Sequence, residues 1–77
     1  MRLSRREMNE LAADREKSAA RSDRAAASGD AAAADPNNSP TIQAQARTAA
    51  GFARSHAREY REEAAKLREG YMPGEDW

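Results

Sequence analysis

The stretch Ser39-Pro40-Thr41-Ile42, running through alternating polar and small residues to Lys66-Leu67-Arg68-Glu69-Gly70, decides the fold. Ser39 is a helix N-cap, because its hydroxyl can accept a hydrogen bond from an otherwise unpaired N–H of the first turn. Pro40 then falls at the first helical position, where its fixed φ suits the helix and its missing N–H costs nothing. Gly70 can take the left-handed conformation that closes a helix, and Pro73 blocks its resumption. Between these signals the apolar positions are Ile42, Ala46, Ala49, Ala50, Ala53, Ala57, Tyr60, Ala64, Leu67 and Tyr71. Their steps of three and four put them on one face. A helix over 40–69 would be about 45 Å long at the standard rise.

Most of that face is alanine. An alanine stripe buries little area, so each residue contributes little hydrophobic stabilisation. It does let a second helix come close, with Gly51 assisting the approach. The few large contacts expected in this seam are Ile42, Phe52, Tyr60 and Leu67.

Upstream, Ser4-Arg5-Arg6-Glu7 matches the capping box and starts a first helix. Alanine pairs then recur every seven residues, at Ala12-Ala13, Ala19-Ala20, Ala26-Ala27 and Ala33-Ala34, preceded by Met8 and Leu11. A sustained period of seven marks a helix packed along its length on another. The positions between the pairs are poor core residues: Arg15 with Glu16, Ser22 with Asp23, Gly29 with Asp30. Gly29 costs about 1 kcal/mol relative to alanine inside a helix. Helix 1 is read as continuous through it, with an irregularity there.

Asp35-Pro36-Asn37-Asn38-Ser39 is loop chemistry, since the residue before proline avoids helix and Asn-Asn-Ser favours a turn. The expected fold is therefore all-α: an antiparallel, alanine-rich, coiled-coil-like hairpin spanning 1–70. Helix 1 covers about 4–34, the loop 35–39 and helix 2 about 40–69, followed by an aromatic and acidic tail over 71–77. Folding about the loop brings Ala26 near Ala49, Ala19 near Phe52 to His56, and Leu11 near Ala64. The larger residues Leu3, Met8, Leu11, Tyr60, Leu67 and Tyr71 gather at the open end.

Composition bounds the rest. The chain has 77 residues, 19 of them alanine, with no valine and no cysteine. A small chain with so few large apolar residues is marginal alone. Completing a bundle, by self-association or by docking on a partner, is the expectation. The charge balances at 13 basic against 13 acidic residues. That disfavours a protein devoted to neutralising phosphate and equally an acidic mimic of nucleic acid. Without cysteine there is no disulfide and no thiolate metal site. No secretory signal or membrane-spanning run is visible, so a cytoplasmic protein is expected, with no membrane partner.

Candidate sites follow from residue type and spacing. Arg47, Arg54, Arg61 and Arg68 recur every seven residues, with Arg58 beside them. They form either a basic stripe for nucleic acid or an acidic partner, or a solvated face in which Arg58, Glu62 and Lys66 pair at i,i+4; the solvated face is preferred. His56 is the only histidine, and no second ligand or nucleophile is spaced to complete a metal or catalytic set with it. Glu59, Glu62 and Glu63 lack the Glu-x-x-His arrangement of carboxylate metal sites in bundles. No catalytic residue, metal, cofactor or small-molecule substrate is therefore expected. Phe52, Tyr60, Tyr71, Met72 and Trp77 exceed what one hairpin covers, and exposed aromatics on a small domain mark a protein-binding surface.

Tyr71 and Glu75 spell Tyr-x-x-x-Glu just after the second helix. This resembles the export signal of the small Trp-x-Gly helical-hairpin proteins of type VII secretion. The resemblance covers those five residues and the hairpin shape, and implies an exported protein. The family's Trp-x-Gly turn is absent, because the loop is Asp35-Pro36-Asn37-Asn38-Ser39.

Three functional readings result. The first is a non-enzymatic protein–protein interaction module: an adaptor, inhibitor or assembly subunit, of a size that fits an accessory protein of a phage or other mobile element. The second is a nucleic-acid-binding dimer using the arginine stripe. The third is the type VII-secreted hairpin.

Overall fold

In the computed structural model, residues 2–75 and 77 are described; Met1 and Asp76, which the sequence assigns to the N-terminal lead and to the tail, lie outside them. Two helices of 30 residues each, α1 (Arg5–Ala34) and α2 (Pro40–Glu69), pack side by side as an antiparallel hairpin. The molecule measures 53 × 19 × 15 Å.

The caps are those the sequence spells. The Glu7 N–H donates to Ser4 Oγ at 3.1 Å, and the Ser4 N–H donates to Glu7 Oε1 at 2.9 Å, which completes the capping box. Ser39 Oγ accepts from the Ile42 N–H at 3.2 Å, with Pro40 opening α2. Gly70 closes α2 at φ 100°, a left-handed conformation that glycine adopts without a Cβ clash. The Arg5 guanidinium donates to the Arg68 carbonyl at 2.7 Å, so a cation from the start of α1 sits on the negative end of α2. In the loop, Asp35 Oδ1 accepts from the Asn37 N–H at 2.9 Å. Asn38 and Gln43 side-chain amides hold the Ala32 and Asp35 carbonyls at 2.9 and 2.7 Å. These bonds satisfy backbone groups that the end of α1 would leave unpaired.

The seam is narrower and more alanine-dominated than the sequence suggests. Its buried residues are Met8, Ala12, Ala19 and Ala26 from α1, and Ala50, Ala57, Ala64 and Leu67 from α2. Ala12, Ala19 and Ala26 advance by sevens while Ala64, Ala57 and Ala50 retreat by sevens, which keeps small residue against small residue. Only at the open end do larger groups pack, where Leu67 is fully buried against Ala12 and Ala64 with Leu11 alongside.

Three expectations are corrected. Ile42 and Phe52 are not seam contacts; they are 47% and 64% exposed. Backbones this close leave room only for alanine, so the bulky side chains are displaced to the flank. Ala50, in phase with Ala57 and Ala64, enters the seam, whereas Ala49 is exposed. Gly51 plays no part in the close approach, since a Cβ added there would meet nothing within 4 Å. Gly29 does: a Cβ there would lie 2.9 Å from the Ala46 carbonyl oxygen and 3.0 Å from the Ala50 Cβ. α1 runs unbroken through Gly29. The glycine costs helix propensity and is required by the crossing.

Candidate functional site

The two flanks of the seam differ in chemistry. On one flank the arginines of α2 meet a row of acids on α1. Arg54 Nη1 pairs with Asp30 Oδ2 at 2.7 Å, Arg61 with Asp23, and Arg68 with Glu16. Arg61 and Arg68 each place two nitrogens on the carboxylate of their partner. The hydrogen bond from Arg61 holds the Asp23 carboxyl below the ordinary range, and that from Arg68 does the same to Glu16. Reciprocally, Arg54, Arg61 and Arg68 are pushed up by the carboxylates they bond.

This row was the signal missed in the sequence. Glu16, Asp23 and Asp30 recur every seven residues, matching the spacing of the arginines. Two of the five arginines of the expected stripe stay outside it. Arg47 stands one step past Arg54, where the acid row has given way to the loop. Arg58 lies between Arg54 and Arg61, and the three line a shallow, open recess with Glu62 and Ala65. Among the described residues, Arg47 and Arg58 join no ion pair.

The opposite flank carries Phe52 and Ile42. At about 100° per residue, Ile42, Gln45, Ala49 and Phe52 form a strip beside the seam, on the side away from the arginines. All four are exposed. Phe52 lines a shallow, mostly apolar recess with Ala44, Gln45, Thr48 and Ala49. The same rotation puts Ser18, Ala25 and Ala32 of α1 on this side, while Gly29 faces the seam. Between Ala25 and Ala53 the only charged residues are Asp30, Asp35 and Arg47, and none lies in the strip. The uncharged area ends toward the open end at Arg21, whose guanidinium donates to Ser18 Oγ at 2.9 Å, and at His56 and Glu59, ahead of the Arg15–Glu63 ion pair at 2.7 Å.

The remaining candidates sit at the open end and in the tail. Tyr60 and Met72 are half-buried, while Tyr71 and Trp77 are 39% and 41% exposed. Pro73 and Gly74 (φ 88°) occupy the centre of a turn closed by the Glu75 N–H donating to the Met72 carbonyl at 2.9 Å. The Glu75 carboxylate accepts from the Met72 N–H and pairs with Arg2, both at 3.2 Å, and these contacts lower its pKa, the backbone bond most. Trp77 lines a recess with Glu59, Glu62, Glu63 and Lys66, so the tail turns back along α2. The structure thus splits the aromatic set: Phe52 stands on the uncharged flank, and Tyr71, Met72 and Trp77 belong to the tail.

His56 is exposed, with Nδ1 3.8 Å from Glu59 Oε2. Among the described residues no group of three or more His, Cys, Asp or Glu side chains is placed to hold a metal ion. No helix among them is long and apolar enough to cross a membrane. No protein-family model matches the chain, and no curated protein or solved structure matches it.

Proposed function

We propose that the chain is a small non-enzymatic protein–protein interaction module. The observation that carries this reading is Phe52, 64% exposed on a helical strip without charge whose other end, ten residues away, is Ile42, 47% exposed. An aromatic and a branched aliphatic side chain on such a surface form the kind of anchor that dominates binding energy once water is excluded. The arginine row would suit nucleic acid if it were open, but Arg54, Arg61 and Arg68 already spend their charge on Asp30, Asp23 and Glu16. The apolar strip has no such internal use.

The test is affinity capture with the immobilised chain, comparing wild type with Phe52→Ala combined with Ile42→Ser. Loss of the captured protein with the double variant, at unchanged helicity, supports the reading. Capture that is indifferent to both substitutions overturns it.

A further inference from the structure

We infer that the occupant of the uncharged flank is a second copy of this chain, bound antiparallel so that each Phe52 packs on Ile42 of the other copy. The inference rests on the interaction reading above and adds the identity of the partner.

Three observations lead to it. The first is need. Six of the eight buried residues that hold the hairpin together are alanines, which bury little apolar area. A hairpin stabilised so weakly gains most from a surface present whenever the chain itself is present.

The second is area. With a two-fold axis midway between Ile42 and Phe52, each copy is covered from the loop to about residue 55 of α2 and from the loop back to about Arg21 of α1, about 25 Å of helix. The broad side of the molecule is 19 Å across. Laid on itself, that face covers about 500 Å² on each copy, or about 1,000 Å² in all, the lower bound for a specific interface.

The third is self-complementarity. A two-fold axis across the hairpin sets α2 against α2 and α1 against α1, each pair antiparallel. Ile42 and Phe52 are ten residues apart, so the axis exchanges them, and Gln45 then lies opposite Ala49. The small side chains of Ala25 and Ala32 on α1 allow that pair of helices to approach closely as well. No like charges meet, because the arginine and acid rows lie on the far flank. The two open ends point away from each other, giving an elongated four-helix body with both tails free.

The experiment is molar mass by light scattering over a concentration series, with helicity followed in parallel. The proteins are the wild type, Phe52→Glu, Ile42→Lys and, as a charge control in the same half of the hairpin, Ala31→Glu. The wild type is expected to pass from monomer to dimer. Phe52→Glu should weaken dimerisation by about 100-fold or more, as expected for an anchor residue at a two-fold interface, and Ala31→Glu should leave it unchanged. A mixture of Phe52→Glu with Ile42→Lys should associate more tightly than either alone, because in the mixed pair the new glutamate meets the new lysine. A dimer indifferent to Phe52→Glu, or a mixture that stays monomeric, overturns the arrangement. A wild-type chain monomeric at every concentration, while its capture of another protein still requires Phe52, overturns the second copy and leaves the interaction reading standing. A monomer whose capture ignores Phe52 overturns both.

Discussion

Gly29 and Ala50 meet so closely that a methyl group on residue 29 would lie 3.0 Å from the Ala50 Cβ and 2.9 Å from the Ala46 carbonyl oxygen. The obstacle at Ala46 is backbone, so it cannot swing aside. Gly29→Ala gains about 1 kcal/mol of helix propensity and loses about 1–3 kcal/mol to overpacking, a net destabilisation. Gly51→Ala meets nothing and should stabilise by about 1 kcal/mol. Thermal unfolding of the two variants by circular dichroism checks the opposite signs. If both stabilise, the helices are not as close as described.

Among the described residues, Leu67 is the one large side chain buried completely, against Ala12 and Ala64. Leu67→Ala removes most of the bulk from the open-end cluster and should cost about 3 kcal/mol. Against a seam otherwise made of alanine, that loss should leave the hairpin largely unfolded at 25 °C. Helicity measured in urea, with an unchanged midpoint as the contrary result, decides this.

The ion-paired flank makes stability depend on acid. Glu16 and Asp23 have folded-state pKa values below their ordinary ones because Arg68 and Arg61 bond their charged forms. Glu7 and Glu75 are lowered too, by the Ser4 and Met72 backbone N–H groups foremost. A carboxylate depressed on folding stabilises the folded chain above its unfolded pKa, and that contribution disappears as pH falls through the folded value. The melting temperature should therefore fall between about pH 5 and pH 2. Replacing both acids, Glu16→Gln with Asp23→Asn, should flatten that limb. A melting temperature that rises on acidification would contradict the pairing.

Trp77 is the only tryptophan, so its emission reports the tail alone. Glu75 holds the tail in its turn through the Met72 N–H and ties it to Arg2 ahead of α1. Glu75→Ala should shift Trp77 emission to the red with little change in helicity. Arg2→Ala should do so to a smaller degree, since the Met72 bond remains. An unshifted spectrum in both would place the tail free in solution already.

Both helices, their caps and the loop were legible because each boundary is written in local chemistry: Ser4 with Glu7, Ser39 with Pro40, Asp35 before Pro36, and Gly70. The seven-residue alanine repeat told of a long packed seam. Which flank of α2 carried the bulky residues was not legible. Apolar periodicity admits Ile42 and Phe52 beside Ala50 and Ala57, and large side chains ordinarily mark the interior. In the loop half the reverse holds, because helices in such close contact accept only small residues there, and larger ones enter the seam only at the open end, as Met8 and Leu67. Nor could the sequence tell Gly29 from Gly51, since both interrupt good helix and only the antiparallel register sets one against Ala46. The acid row was present all along at Glu16, Asp23 and Asp30. Its meaning required setting it beside Arg68, Arg61 and Arg54, because only an offset that is a multiple of seven brings the two rows together; one residue along, the arginines would face Lys17, Arg24 and Ala31.

The most direct measurement of the two-faced hairpin is a residue-resolved amide NMR map recorded as the protein concentration is raised. Shifts confined to Ile42, Gln45, Ala49, Phe52 and the facing side of α1, with the Arg54, Arg61 and Arg68 amides unmoved, are the predicted result. Shifts concentrated along the arginine row, with Phe52 unmoved, would contradict it.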